Sequence, residues 1–204
     1  MAASSELASV RRSWLERLLD VVRELGATRD LAQMLDRITA AAVEFLEFGA
    51  AAINVLDEQG QVRVAAVAGP PEMRGLLGQT SALQYWQDLL GACEAWGSLR
   101  FFSHEMDQGL FDQIASWVPE GDGDPGPEAW HPRDALFAAL NGPDGSLLGV
   151  LSVDQPASGR LPNLEQRTVL ELFANQAAVA IADFHQRERS ETRRRTHRDL
   201  DPPT

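Results

Sequence analysis

The turn sequence Gly-Pro-Asp-Gly at residues 142–145 constrains the fold of this chain more than any other feature. It lies between two apolar, strand-like segments, residues 135–140 and residues 146–154. Proline and glycine in this arrangement favour a tight turn between antiparallel neighbours. A parallel pair would need a much longer crossover connection. The segment therefore predicts a β-hairpin.

A second hairpin is predicted closer to the N-terminus. Residues 50–56 and 61–68 are strand-like, and the polar loop at residues 57–60 between them ends in glycine. Farther along the chain, residues 81–96 carry apolar side chains at helical spacing. Residues 99–103 are typical of a further strand.

Helical periodicity marks the N-terminal part of the chain. Apolar residues recur at steps of three and four from Leu7 to Leu25, which predicts a helix that Gly26 ends. A second helix is expected to begin with Thr28 as N-cap and Asp30 in its first turn. The apolar face of this second helix is expected to consist of Leu31, Leu35, Ile38, Ala42 and Phe45.

The C-terminal part predicts a long helix. Apolar residues from Leu164 to Phe184 recur at helical spacing, and the helix is expected to continue into an arginine-rich end. Residues 104–133 have a different character, because their central stretch, residues 120–127, is rich in glycine, proline and acidic residues. We expect residues 104–133 to form a surface loop.

Hairpins combined with helices at both ends predict an α+β fold, in which helices pack on an antiparallel sheet. The chain of 204 residues is long enough for one large domain with its own core. We divide it into an N-terminal signalling or dimerisation helix (residues 1–27), one domain (residues 28–186), and a basic helix end with a disordered tail (residues 187–204).

The charged residues exclude several functions. All 18 basic residues are arginine, which removes the lysine-dependent mechanisms of P-loop enzymes, kinases and Schiff-base enzymes. With 30 acidic residues the net charge is −12, so nucleic acid and anionic membranes are not expected as partners. Residues 187–198 hold six arginines and two glutamates. We interpret them as a solvated helix end.

Cys93 is the only cysteine, so no disulfide can form within the chain and an oxidising compartment is not indicated. We expect this thiol to belong to the core. The first 30 residues lack the apolar segment of a signal peptide, and no apolar run is long enough to cross a bilayer. A cytoplasmic protein is expected.

Two segments of the chain carry a family resemblance. Asn-Gly-Pro-Asp-Gly-Ser-Leu-Leu-Gly-Val-Leu-Ser-Val-Asp at residues 141–154 precedes Leu-Glu-Leu-Phe-Ala-Asn-Gln-Ala-Ala-Val-Ala-Ile at residues 170–181. This pattern resembles the GAF domain family, and the likeness covers residues 31–184. Residues 86–130 are similar to a bacterial subgroup with a long, tryptophan-containing central loop.

The resemblance implies a five- or six-stranded antiparallel sheet, with the N- and C-terminal helices on one face and a loop-covered ligand pocket on the other. It also implies a sensory and dimerisation module in signal transduction. A loop of this length inside a compact domain is commonly a lid or a binding loop. Its aromatic side chains could close an apolar pocket, or they could pin the loop to the sheet. The expected ligand-binding residues are Arg100, Phe102, His104, Trp117, Trp130 and His131.

Two histidines and two carboxylates of this region are candidate metal ligands. His104 and Glu105 would meet His131 and Asp134 at one rim if the third and fourth strands are neighbours. Such a group could bind zinc or non-haem iron. The same side chains could instead orient a small polar ligand or anchor the loop. Our prediction includes no metal and no cofactor.

Other chemistries of the family do not fit the sequence. Bilin attachment commonly uses a cysteine followed by histidine, whereas Cys93 is followed by Glu94. A single cysteine cannot supply the redox cycle of methionine sulfoxide reduction, and the cyclic-nucleotide pattern contains a lysine. His104 and His131 are available as haem ligands, but no motif supports that role. The chain also lacks a Gly-x-Ser-x-Gly nucleophile elbow.

We therefore expect a non-catalytic sensory or regulatory protein that binds an unidentified small molecule and acts on a separate output protein through its terminal helices. The alternative is a dimerisation and protein-interaction module without a ligand. The apolar stripe of the N-terminal helix predicts a homodimer. Its expected contact residues are Leu7, Trp14, Leu18 and Val21.

Overall fold

The computed structural model describes residue 23 and residues 30–114, 116–118, 126 and 128–200, with the backbone alone for residues 192–200. Apart from Arg23, which is helical, the N-terminal helix expected up to Leu25 lies outside the described residues, as do residues 201–204 of the expected tail. The predicted dimerisation residues Leu7, Trp14, Leu18 and Val21 also lie outside them.

Seven strands form one open antiparallel sheet in the order β3-β2-β1-β7-β6-β5-β4. The α+β class with an antiparallel sheet is confirmed. The sheet has more than the expected five or six strands, because two three-residue strands extend its edges. The strands are β1 (Phe48–Leu56), β2 (Gln61–Ala68), β3 (Thr80–Ala82), β4 (Glu94–Trp96), β5 (Leu99–Phe102), β6 (Ala135–Asn141) and β7 (Leu147–Pro156).

Both predicted hairpins are present. β1 pairs with β2, and β6 pairs with β7, in antiparallel register. The turns depend on glycines with positive φ, 75° at Gly60 and 80° at Gly145, where a side chain would be strained. In each turn an aspartate, Asp57 or Asp144, accepts backbone N–H groups of the loop. β1 also pairs with β7, which brings the two hairpins together in one sheet.

Helices cover both faces of the sheet. They are α1 (Leu31–Glu44), a 3-10 helix (Pro71–Leu76), α2 (Leu83–Ala92), α3 (Gln108–Phe111) and α4 (Leu164–Leu200). α4 is continuous through the arginine-rich end of the chain. Among the described residues, no helix is both long enough and apolar enough to span a bilayer.

α1 begins later than its sequence pattern indicates. Asp30, and not Thr28, is the N-cap, because its carboxylate accepts a hydrogen bond from the backbone N–H of Gln33 over 3.3 Å. The predicted apolar face is correct at its centre, where Leu35 and Ile38 are buried.

The predicted helix over residues 81–96 is too long. α2 occupies its middle, and β3 and β4 flank it as short edge strands. The loop expected over residues 104–133 is also more ordered than predicted. It contains α3, and Phe111, Ile114 and Trp130 are buried. These apolar side chains draw parts of the segment into the core instead of leaving it on the surface.

The sheet separates two cores. α1 and α4 pack on one face, where Leu35, Ile38 and Phe173 are almost fully buried against strand residues. Burial of each such side chain stabilises the fold by about 1.5–3 kcal/mol. On the opposite face, α2 and α3 bury Trp86 and Phe111 against β5 and β6. The terminal helices therefore lie on one face as predicted, while short helices and not a loop alone cover the other.

Candidate functional site

A cavity of about 40 Å³ lies on the face of the sheet opposite α1 and α4. Its floor is made of small residues, including Ala50 and Ala52 of β1 and Ala135 of β6. Alanines at these positions leave space that larger side chains would fill. A cavity needs about 10–15 Å³ to hold one water molecule. The space therefore suits a few water molecules or a ligand of a few heavy atoms.

Aromatic side chains form much of the remaining wall. Trp86 of α2, Phe111 of α3 and Phe137 of β6 line the cavity. Trp86 and Phe137 meet edge to face, with ring centroids 5.9 Å apart. The indole N–H of Trp86 donates to Ser81 Oγ over 2.9 Å, which fixes the ring. These contacts give the cavity a preformed wall.

Trp117 is the predicted ligand-binding residue that the structure places in the cavity wall. It is half-buried and packs with Ala50, Ala52 and Met73. Its neighbour Ser116 also lines the cavity and contributes a hydroxyl. The expectation that the long loop covers part of this face is consistent with these contacts.

Asp154, at the end of β7, is the ionisable residue of the cavity wall among the described residues. Its Oδ1 accepts hydrogen bonds from the indole N–H of Trp130 over 2.9 Å and from the backbone N–H of Gln155 over 2.6 Å. No described residue donates a hydrogen bond to Oδ2. The pKa of Asp154 is raised to about 7, chiefly by burial and to a smaller extent by Asp134, while the two hydrogen bonds oppose the rise.

Trp130 reaches Asp154 but belongs to the other core. Its ring is buried on the face that carries α1 and α4, and it meets Phe101 at a centroid distance of 5.9 Å. The side chain therefore does not line the cavity. It acts on the cavity through the hydrogen bond to Asp154, which joins the long loop to β7.

Phe102 and Arg100 of β5 lie away from the cavity wall. Phe102 is fully buried and stacks on Phe111, which separates it from the cavity. The guanidinium of Arg100 donates to the backbone oxygens of Leu99 over 2.9 Å and Gly97 over 3.3 Å. These bonds hold the Arg100 guanidinium beside the backbone of neighbouring residues, away from the cavity.

His104, His131 and Asp134 come together where β5 ends and β6 begins. Asp134 is buried, and its Oδ1 accepts from both the backbone N–H and Nδ1 of His104, over 2.8 Å and 2.9 Å. Its Oδ2 accepts from the backbone N–H of His131 over 2.8 Å. The predicted meeting of the two histidines at one rim is therefore observed, while Glu105 does not join the group of potential ligands.

The arrangement of the histidines favours a loop anchor over a metal centre. The two imidazole rings stack at 3.9 Å with an interplanar angle of 20°. Imidazole lone pairs lie in the ring plane, so nearly parallel rings cannot both point at one ion. His131 Nδ1 also accepts the backbone N–H of Arg133 over 3.1 Å. The cluster does not line the cavity; its hydrogen bonds hold the two ends of the long loop together.

Cys93 is half-buried beside the core that contains α2. Burial raises its pKa to about 12, although Arg100 opposes the rise. The thiol is therefore protonated at neutral pH and is a poor nucleophile.

A wider groove lies between the β6–β7 turn and α4. It is lined by polar residues, among them Asp144 and Arg189, and it opens to solvent. The pKa of Asp144 is lowered, first by its hydrogen bonds from Ser146. This groove lacks the aromatic wall of the cavity.

The fold and its cavity define the class of protein: an α+β domain with an antiparallel sheet, long helices on one face and a small cavity on the other. The chain belongs to the GAF domain family, whose sequence model matches residues 28–182. A comparison with curated proteins finds no match.

Several solved structures share this fold at low sequence identity. The GAF domain of an Acinetobacter phosphoenolpyruvate-protein phosphotransferase is 18% identical, with a TM-score of 0.56 over 84% of this chain and 94% of that one. Residues 122 to 287 of a methyl-accepting chemotaxis protein are 17% identical, with a TM-score of 0.59 over 80% of this chain and 95% of that one. A bacteriophytochrome from R. palustris is 15% identical, with a TM-score of 0.59 over 90% of this chain and 41% of that one.

Sequence reasoning missed Asp154 as a site residue. The signal was present, because a carboxylate ends the otherwise apolar run of β7. Asp154 is the last residue of the GAF-like pattern at residues 141–154, but its position in the cavity depends on strands that are distant in sequence.

Proposed function

We propose that this GAF domain is a non-catalytic sensory or regulatory module that binds a small molecule in the cavity beside Asp154. One observation carries the proposal: a carboxylate oxygen without a described hydrogen-bond donor lies in a wall that is aromatic and aliphatic apart from two serines. A few polar groups within an apolar wall are typical of ligand sites. The similarity in fold to a chemotaxis protein and a bacteriophytochrome supports a role in signalling.

β7 provides a short route from the cavity to α4. Ser152 and Asp154 line the cavity, whereas Leu151 of the same strand belongs to the core on the opposite face. Phe173 of α4 lies in that same core. A ligand that moves β7 would therefore alter the packing of α4, and we propose that α4 passes this change to a separate output protein.

We also propose a homodimer built from the terminal helices. Leu164 and Val179 of α4 are 71% and 59% exposed. Apolar side chains along one helix are a suitable seam for a second copy. The stripe that includes Trp14 would extend this seam. A cytoplasmic location without nucleic-acid or membrane partners completes the proposal, as the net charge of −12 suggests.

The second candidate function is a dimerisation and protein-interaction module with no ligand. The exposed apolar residues of α4 favour it, since they require no occupied cavity. The two functions predict different effects of a substitution that fills the cavity. Such a substitution would abolish the response of a sensory module to its ligand. It would leave dimerisation and partner binding intact in either case.

A thermal-shift screen of small molecules would test the proposed function. The wild-type protein would be compared with Ala52→Val, which fills the cavity floor, and with Ala95→Val, a matched change at an exposed position of β4. We expect some compounds to raise the Tm of the wild type and of Ala95→Val but not of Ala52→Val. If no compound distinguishes Ala52→Val from its control, the cavity is not the sensory site.

A further inference from the structure

The polar groups of the cavity are arranged to accept hydrogen bonds. Asp154 Oδ2 receives none from the described residues, because both bonds to this carboxylate end on Oδ1. Ser152 lies two residues earlier on β7, so both side chains project from the same face of the sheet. The hydroxyl of Ser152 donates to the backbone oxygen of Ala52 over 3.3 Å, which leaves its lone pairs available. Ser116 adds a second hydroxyl.

The charge of the wall has one sign. Among the described residues that line the cavity, none is an arginine or a histidine, and Asp154 is the acid. An anionic ligand would therefore be buried beside a carboxylate without a compensating charge, which is costly. A cation would instead be paired with Asp154, and the faces of aromatic rings attract cations. Trp86, Phe111, Trp117 and Phe137 supply such rings.

We propose that the cavity binds the ammonium group of a small primary organic amine, with Asp154 as its counter-ion. The three donors of an ammonium group equal in number the polar side chains of the wall, Asp154, Ser152 and Ser116, each of which can accept a hydrogen bond. The alkyl part lies against the alanine floor and the aromatic rings. This assignment of a ligand class rests on the proposed function of the cavity.

The volume limits the size of the amine. About 40 Å³ accommodates a ligand of only a few heavy atoms. Ethylammonium is therefore a suitable probe, and ethanol is its neutral counterpart of nearly equal size. Potassium chloride at the same concentration controls for non-specific effects of a cation on a protein of net charge −12.

Titration calorimetry together with tryptophan fluorescence would measure binding to the full chain. We expect ethylammonium chloride to bind and to change the fluorescence of Trp117, while ethanol and potassium chloride do neither. Binding should strengthen about tenfold between about pH 6 and about pH 8, because Asp154, with a pKa of about 7, must be ionised to pair with the cation. Asp134, paired with His104, is the charged group that acts on Asp154, so a variant must separate their contributions.

Asp154→Asn makes that separation, and two further variants serve as its controls. Asp154→Asn keeps the shape of the side chain and removes its charge, so we expect binding to weaken at least tenfold and to lose its pH dependence. Asp144→Asn makes the same change at an exposed turn and should bind as the wild type does. Ala52→Val should abolish binding by filling the cavity, and it remains informative if Asp154→Asn does not fold.

The outcomes separate this inference from the proposed function. The inference is overturned if ethylammonium does not bind, if it binds Asp154→Asn as well as the wild type, or if ethanol binds equally well. If neutral compounds nevertheless bind the wild type but not Ala52→Val, the sensory cavity stands and only the ligand class is wrong. If no compound of either kind is sensitive to Ala52→Val, both proposals fail.

Discussion

The indole N–H of Trp130 donates a hydrogen bond to Oδ1 of Asp154 over 2.9 Å. This bond joins two parts of the molecule that lie on opposite faces of the sheet, since the Trp130 ring is in the core beneath α1 and α4 and Asp154 lines the cavity. The charge state of the cavity is thereby coupled to the core that the long helices share. A ligand that ionises Asp154 would strengthen this bond.

The Trp130 indole resonance should report the ionisation of Asp154. Because burial raises the pKa of Asp154 to about 7, we expect the Trp130 indole N–H signal to shift with a midpoint near that value in an NMR pH titration. The Trp86 indole, which donates to Ser81, is the internal control and should move less. The titration should vanish in Asp154→Asn. A Trp130 signal that does not change with pH in the wild type would contradict the assignment.

The pH dependence of stability should carry the sign of a raised carboxyl pKa. Asp154 ionises at 3.8 when unfolded and at about 7 when folded. Its protonated form is therefore favoured by folding, and this stability is fully present below the unfolded pKa and lost as the pH rises to 7. The full loss is at most about 4 kcal/mol. In urea unfolding, Asp154→Asn should be more stable than the wild type above pH 7, and the difference should shrink towards acid pH.

Asp144→Asn provides a contrast of opposite sign. The pKa of Asp144 is lowered, chiefly by Ser146, so its contribution is present above the unfolded pKa and is lost as the pH falls. We expect this variant to be slightly less stable than the wild type at neutral pH, with the difference disappearing in acid. Parallel pH profiles for the two variants would contradict the assigned environments.

Gly149 should tolerate no side chain. It lies where β7 pairs with β1, and a Cβ atom there would overlap the backbone oxygen of Asn54. We expect Gly149→Ala to lower the free energy of unfolding by about 1–3 kcal/mol. Gly91 of α2 has open space around it, so Gly91→Ala should raise stability by roughly 0.5–1 kcal/mol. Equal effects of the two changes in denaturant titrations would show that the close approach of the strands is not rigid.

The proposed dimer can be tested on both terminal helices. Trp14→Glu and Val179→Glu should each convert a dimer into a monomer, because each places a charge in an apolar seam. Leu77→Glu, at another exposed apolar position, should leave the dimer unchanged. Light scattering at tens of micromolar distinguishes these states. A wild-type protein that is monomeric at that concentration would remove the proposal.

Local turn chemistry explains why most of the sheet could be predicted. Gly60 and Gly145 specify tight turns whatever surrounds them, so the four strands of the two hairpins follow from the sequence. β3 and β4 could not be predicted in the same way. Each has three residues, and its extended conformation depends on pairing with a distant or adjacent strand, as when Thr80 pairs with Arg63.

The residues of the site were harder to predict from the sequence than the fold was. Trp117 was predicted because an aromatic residue in a long loop often covers a pocket, and it does line the cavity. Trp130 belongs to the same loop, yet its ring lies on the opposite face of the sheet from the cavity, because it packs against Phe101 there. Asp154 was missed because its environment is assembled from β7, the long loop and the strands beside them.

The central claim is that the cavity beside Asp154 receives a small molecule. Its most direct test is a ¹H–¹⁵N NMR spectrum of the tryptophan indoles and backbone amides, recorded while small amines and small neutral compounds are added one at a time. The claim predicts that binding compounds shift the Trp117 indole and the amides of Ser152 and Asp154, and leave the Trp96 indole at the far sheet edge unmoved. Compounds that shift only residues of the groove around Asp144 and Arg189, or none at all, would contradict it.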